Sequence, residues 1–203
     1  MITNEDCMDL MARYEDNHFD LAIVDPPYGI ERFKKMNKGD AIHKKTDVGK
    51  NWNNQKPNDV FFNELFRVSK NQIIWGANNF NLPTSEYFLI WDKKQMYPNF
   101  ARCEMAYVSM GLKKPAKIFE YSIMNISGKK QHPAEKPISL YEYILMNYAK
   151  EGDKILDTHL GSGSIAIACH NLGYELTGCE LDKDYYEAAM KRINEHKQQI
   201  RMF

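Results

Sequence analysis

Leu21-Ala22-Ile23-Val24-Asp25-Pro26-Pro27-Tyr28-Gly29 is an apolar run, preceded by Phe19, that stops abruptly in a carboxylate, two prolines, an aromatic ring and a glycine. The run has no polar alternation, so it reads as a strand buried on both faces of a parallel sheet. Neither proline can extend it, because each lacks an N–H for the ladder and fixes φ. Asp25 and Tyr28 are therefore expected on a stiff turn at the carboxyl end of a central strand. In open α/β sheets ligands bind at that end.

Such a turn suits one kind of chemistry. The exocyclic amine of a nucleobase is a poor nucleophile, because its lone pair is delocalised into the ring. A carboxylate and a backbone carbonyl that accept its two N–H bonds draw the nitrogen toward tetrahedral geometry and free that lone pair. Asp25 supplies the carboxylate and Pro26 the carbonyl, while Tyr28 can stack on the base. The plainer alternative is a strand-to-loop turn with a capping Asp and a rim Tyr, and the wider context decides between them.

Outward from this turn the chain alternates strand and helix signals. Residues 1–3 read as a short strand, and Cys7, Leu10, Met11 and Tyr14 have helical spacing. Pro57-Asn58-Asp59 starts a helix whose buried face is Phe61, Leu65 and Val68. Strands follow at 73–76, 87–91 and 104–110, the last two as an antiparallel pair at one edge of the sheet. A helix carries Leu140, Tyr143, Ile144 and Tyr148 on one side. Lys154 to Asp157 is a strand, and the helix after it buries Ile165, Ala168, Cys169 and Leu172 before Gly173 ends it. Tyr174 to Cys179 is a strand ending at Glu180. The last helix has Tyr186, Ala189, Met190 and Ile193 inside and a Glu187/Lys191 pair outside. The alternation predicts a doubly wound α/β sheet.

The chain has 203 residues, 43% hydrophobic and 12% aromatic, which argues against disorder and for one domain spanning 1–203. No apolar run approaches membrane-spanning length and the N-terminus is unlike a signal peptide, so a soluble, cytoplasmic protein is expected, with no membrane partner. Cys7, Cys103, Cys169 and Cys179 form no C-x-x-C pair, and the six histidines form no H-x-x-x-H pair. Buried thiols and no metal site are expected. Net charge is zero but unevenly spread. Residues 31–50 carry seven Lys/Arg against three acids, and residues 113–130 five against one. Two basic segments on a neutral chain point to local contact with a polyanion, or simply to two solvated loops. Residues 29–56 lack periodicity and follow the catalytic turn. They are expected to form a mobile basic loop that meets substrate through Lys34, Lys35 and Trp52, although Trp52 could equally anchor the loop's end.

A second constellation lies at Asp157-Thr158-His159-Leu160-Gly161-Ser162-Gly163-Ser164. Strand, acid, Gly-x-Gly turn and helix together let a ligand approach the backbone and offer it unpaired N–H groups. Glu180, at the next strand end, lies where it could hold both hydroxyls of a ribose. Read as a dinucleotide fingerprint the loop from Asp157 to Gly161 is too long, and no lysine follows the glycines as in a phosphate loop. Asp157 suits a ligand with a positively charged amino-acid end, such as S-adenosylmethionine.

Taken together, Asp25-Pro26-Pro27-Tyr28 and Asp157 to Ser164 resemble the S-adenosylmethionine-dependent DNA amino-methyltransferases, in the β arrangement, where the catalytic motif precedes the cofactor motif. The resemblance covers nearly the whole chain. Asn4-Glu5-Asp6-Cys7 is similar to the family's cofactor-adenine segment. Phe66-Arg67-Val68, Trp75-Gly76 and Leu89 to Lys93 are similar to its central strands. His132-Pro133-Ala134-Glu135-Lys136-Pro137 resembles the element that lines the methionine end, which implies roles there for His132, Lys136 and Pro137.

The resemblance implies a Rossmann-like, seven-strand sheet with circularly permuted motif order, and a target nucleotide flipped out of duplex DNA. Asp25, Pro26, Pro27 and Tyr28 would be catalytic. Asp6, Cys7, Asp25, His132, Lys136, Pro137, Asp157, Gly161, Ser162, Gly163, Ser164 and Glu180 would hold S-adenosylmethionine. Asp as the first motif residue is more usual for adenine-N6 transfer, with cytosine-N4 transfer or a catalytically silent cofactor- and DNA-binding subunit as alternatives. Residues 111–131 leave space for little more than a loop where relatives carry a target-recognition insert. Sequence readout would then be short, shared across a homodimer, or contributed by a separate specificity partner, as in a restriction-modification system.

Overall fold

The structure, a computed structural model, describes residues 1–29, 56–98, 100–125 and 135–199. Their architecture is one mixed sheet between two helical layers. The strands are β1 (Ile2–Asn4), β2 (Leu21–Val24), β3 (Gln72–Trp75), β4 (Phe88–Asp92), β5 (Cys103–Val108), β6 (Lys117–Glu120), β7 (Lys154–Asp157) and β8 (Glu175–Glu180). The helices are α1 (Cys7–Met11), α2 (Asp59–Val68), α3 (Ile138–Tyr148), α4 (Ser164–Leu172) and α5 (Lys183–Gln198). Sheet order is β1-β8-β7-β2-β3-β5-β4-β6. All neighbours are parallel except β5, which runs antiparallel to both β3 and β4.

β2 sits near the middle because nothing in it needs water. Leu21, Ala22, Ile23 and Val24 are all buried, and successive side chains feed opposite layers. Leu21 and Ile23 join α3, α4 and α5 in one apolar cluster, while Ala22 and Val24 join α1 and α2 in the other. Burying a Leu, Ile or Val side chain contributes about 1.5–3 kcal/mol, so this strand anchors both layers. The chain passes from β2 to β3 on one side and returns to β7 on the other. The sheet order therefore reverses between β2 and β7, which opens a crevice at their carboxyl ends.

Local signals hold the helices in place. Asn58 caps α2 by accepting from the Phe61 N–H at 3.2 Å, and Asp182 caps α5 by accepting from Asp184 and Tyr185. Gly173 ends α4 in a left-handed conformation at φ +76°.

Several expectations are corrected. The sheet has eight strands, one more than expected, because Lys117–Glu120 within the 111–131 stretch adds β6. The antiparallel pair is thus not at the edge: β6 covers β4 there. β6 is short and alternates, with Phe119 turned inward and Ile118 63% exposed, which hid it from a search for longer apolar runs. Phe66-Arg67-Val68 is the end of α2 rather than a strand. Leu172 is the last residue of α4 and is 38% exposed. On α5 the ion pairs are Lys183–Glu187 and Lys191–Glu195 rather than Glu187–Lys191. Among the described residues no helix is long and apolar enough to cross a membrane, and no group of His, Cys, Asp or Glu could hold a metal ion.

Candidate active site

The carboxyl ends of β2, β3, β4, β7 and β8 share one rim. Asp25 follows β2, Gly76 follows β3, Lys93 follows β4, Asp157 ends β7 and Glu180 ends β8. Parallel strand direction brings these sequence-distant groups together.

Asp25 is largely buried, with its side chain 14% exposed, and both its oxygens are engaged. The Tyr28 hydroxyl donates to Oδ1 at 2.6 Å. The Lys136 ammonium forms a close ion pair with Oδ2 and a second with Glu104 Oε2 at 3.2 Å. Lys93 in turn pairs with Glu104 Oε1. Burial pushes the Asp25 carboxyl above its usual range, with Lys136 pulling against it. Burial also pushes Glu104 up, but Lys136 and Lys93 hold it down at about 2. Lys136, only 2% exposed, stays charged: burial works against its proton, and Asp25 and Glu104 outweigh that. Burial and the neighbouring Asp25 carboxylate drive the Tyr28 hydroxyl well above 10, so it is a neutral donor.

Tyr28 folds back over β3. Its ring lies where Gly76 has no side chain, since a Cβ there would come within 2.2 Å of a ring carbon. Gly76 also sits at φ +70°, so this position needs glycine twice over. Phe80 meets the Tyr28 ring edge-on at 6.2 Å. Pro26 is buried, and its carbonyl accepts no hydrogen bond from the described residues.

The second half of the rim is built differently. Asp157 is 3% exposed and accepts the His159 N–H at 3.0 Å. Burial raises its carboxyl to about 7. Glu180 accepts N–H groups from Gly161 and Asp182, both at 2.9 Å, and burial raises it as well. Gly161 and Gly163 take positive φ, and the hydroxyls of Ser162 and Ser164 lie 3.1 Å apart. Arg192 of α5 donates to the Ser162 carbonyl at 2.9 Å and pairs with Glu135 at 3.0 Å. That one guanidinium ties the glycine turn to the segment carrying Lys136. His159, packed edge-on against Phe61, is pushed down to about 4 by burial and is neutral.

Asp6 caps α1 by accepting the Met8 N–H at 2.7 Å. Asn4 donates to the Glu180 carbonyl at 2.7 Å, which brings the Asn4–Cys7 segment beside the Glu180 end of the rim. Burial pushes the Cys7 thiol up to about 12, so it is an uncharged neighbour. Lys136, expected at the methionine end of the cofactor, pairs with Asp25 of the Asp25–Tyr28 turn. His132, Lys34, Lys35 and Trp52 lie outside the described residues. Glu104, Lys93 and Arg192 were not anticipated. For Glu104 a signal existed, since a carboxylate inside the strand Cys103–Val108 has to find a cation.

A family model described as DNA methylase matches residues 35–191, most of the chain. The chain belongs to the DNA methylase family. The chain is 25% identical to the type II methyltransferase M2.MboI of Moraxella bovis, over 96% of this chain and 90% of that protein. Two solved structures share the methylase fold. One, a complex of M1.HpyAVI with SAM, has a TM-score of 0.61 and 22% identity, covering 95% of this chain and 98% of that one. The other, the cytosine-N4-specific PvuII DNA methyltransferase, has a TM-score of 0.61 and 12% identity, covering 96% and 90%. The match to the family model begins after Tyr28, so the Asp25–Tyr28 turn stands on its own geometry.

The donor set fits S-adenosylmethionine. Asp157 is a buried carboxylate whose only hydrogen bond among the described residues is one backbone N–H, and a cationic ligand end would supply the missing counter-charge. Glu180, already fixed by two backbone N–H groups, keeps lone pairs for ribose hydroxyls.

Proposed function

We propose that this DNA methylase transfers a methyl group from S-adenosylmethionine to the N6 amino nitrogen of an adenine flipped out of duplex DNA. The observation that carries the reading is Asp25 at the end of β2, with Asp157 ending the neighbouring strand β7. Acceptors for an amino group and for a cationic cofactor thus meet across the crevice. The Asp-Pro-Pro-Tyr resemblance favours adenine over cytosine.

S-adenosylmethionine, when bound, supplies an electrophilic methyl carbon on a sulfonium centre. Asp157 would hold its ammonium end, Glu180 its ribose, and the Gly161–Ser164 turn would give its backbone close access. Asp6, Cys7 and Pro137 would complete the walls of that site. Asp25 and the Pro26 carbonyl would accept the two N–H bonds of the target amino group, and Pro27 would keep the turn stiff. If the nitrogen attacked that carbon, an N–C bond would form as the C–S bond broke, and positive charge would develop on nitrogen beside Asp25. The preoriented carboxylate would stabilise that charge, and the proton would pass from the nitrogen to Asp25 or to solvent. Tyr28 and Lys136 already donate to Asp25, so the incoming amino group would compete with them for its lone pairs. Release of Tyr28 would also free its ring to stack on the base.

The same reading assigns the whole chain to one methyltransferase unit. The basic stretch 29–56, with Lys34, Lys35 and Trp52, would contact DNA, and β6 occupies part of the 111–131 stretch, which leaves little space for a recognition insert. Target choice would then draw on a second copy or a separate partner.

The test is transfer of labelled methyl from S-adenosylmethionine to unmethylated duplex DNA, followed by digestion to nucleosides. Label in N6-methyladenine, lost in Asp25→Ala, is the expected result. Label in N4-methylcytosine would overturn the choice of base, and no label on DNA despite cofactor binding would overturn the activity.

A further inference from the structure

Asp25 sits among more charge than an amino-group acceptor needs. Facing it are Tyr28 from its own turn, Lys136 and Tyr141 from the α3 side, Glu104 from β5 and Asp157 from β7, with Lys93 behind Glu104. Lys136 alone would balance Asp25. Glu104 adds a second carboxylate to the same ammonium, and Lys93 supplies the cation that balances it. The group of four is neutral, and Lys136 can lean toward either carboxylate without creating net charge. Its ammonium is buried, 3.5 Å from the neutral Tyr28 hydroxyl and with the face of Trp75 at 5.3 Å from Nζ, so only the two carboxylates can balance its charge.

We propose that Glu104 is a positioning residue that acts through Lys136: by sharing the ammonium, it loosens the clamp on Asp25 and offers Lys136 a second seat when the target amino group arrives. The idea rests on the proposed methyl transfer for its purpose, but its geometry belongs to the free protein. In the closed arrangement the Lys136 N–H occupies Oδ2 as an amino N–H of the base would. With Glu104 beside it, displacing that N–H leaves Lys136 paired. Without Glu104, the same displacement would strand a buried charge, and the base would compete against it.

Two variants pull Asp25 in opposite directions. In Glu104→Gln a like charge disappears and Lys136 falls wholly to Asp25, so Asp25 should protonate at lower pH. In Lys136→Met, Asp25 faces Glu104 with no shared cation, so it should protonate at higher pH. Tyr28 and Tyr141 stay neutral throughout, and Asp157 is common to all the proteins compared. The readout is the carbon-13 carboxyl signal of Asp25 followed by NMR in the full, free protein. Midpoint shifts of about one pH unit or more are expected, downward for Glu104→Gln and upward for Lys136→Met. In methyl transfer, Glu104→Gln should lower kcat/KM about tenfold while S-adenosylmethionine affinity holds within about twofold. Glu104→Asp, which keeps the charge, should recover most of the loss.

An Asp25 midpoint unmoved in Glu104→Gln, or moved upward, would overturn the proposal. If Lys136→Met does not fold, Glu104→Gln against Glu104→Asp still decides, because only loss of charge should shift the signal. A wild-type protein that shows these NMR shifts but puts no methyl on DNA would leave the Glu104 device standing and defeat the methylation reading instead.

Discussion

The two halves of the rim hold buried carboxylates in opposite ways. Asp25 carries its counter-ion with it: Lys136 and the Tyr28 hydroxyl engage both oxygens, and Glu104 and Lys93 complete a neutral group. Among the described residues the Asp157 and Glu180 carboxyls have only backbone N–H groups as partners, and burial raises both. A site that must receive a neutral amino group can be balanced beforehand. A site that must receive a cation is better left short of positive charge, so that the ligand itself completes it.

The sharpest way to break this contrast is Asp25→Ala. It should cost about 10²–10³-fold or more in methyl transfer, on the scale of removing one preorganised charge-stabilising group. Lys136 keeps Glu104 as a partner, so cofactor affinity by calorimetry should change less than about threefold. A comparable loss of cofactor binding would show that the two halves are not separate.

Asp157→Asn should do the reverse, weakening S-adenosylmethionine binding by about 1.5–3 kcal/mol, the worth of a hydrogen bond to a charged group. Its pH dependence sharpens the point. A cation beside Asp157 favours the ionised form, and the free carboxyl titrates at about 7. Wild-type affinity should therefore rise from pH 6 to about pH 7.5 and fall again above it, as the ligand's own α-amino group, with an ordinary value of about 7.7–8.0, loses its proton; Asp157→Asn loses the rise. The free protein has the opposite sign. Its raised carboxyl holds a proton that the unfolded chain has released, so stability falls as pH climbs from about 4 through 7. Chemical denaturation across that range should show a flatter profile for Asp157→Asn.

Gly76→Ala tests the Asp25 half sterically. A methyl group there meets the Tyr28 ring on a backbone that already disfavours side chains. Destabilisation of about 1–3 kcal/mol in urea melts is expected. Transfer should fall further than the melt explains, because the Tyr28 ring is pushed from the rim where it would meet the base. Glu180→Gln should be mildest: one oxygen still accepts an N–H, and cofactor affinity should drop about tenfold with kcat nearly unchanged.

How much of this could be read in the sequence depended on how local the cause was. β2 and its proline turn were legible because four consecutive buried residues and two missing N–H groups leave few alternatives. The α2 cap at Asn58, the Gly173 terminus and the strand-to-glycine-turn at Asp157 were legible for the same reason. β6 was not, because an edge strand buries one face only and its alternation of Lys, Ile, Phe and Glu spans just four residues.

By itself, then, the sequence determined the strand–helix alternation, the acids at the ends of β2, β7 and β8 and the order of the two motifs, since burial periodicity and turn chemistry act over a few residues. Only the tertiary structure decided that Lys136 belongs to Asp25, 111 positions away in the chain, and shares its charge with Glu104. It also decided that Arg192 fastens the glycine turn to Glu135. Buried charges choose partners by proximity in a medium that solvates them poorly, and the chain order does not encode that proximity.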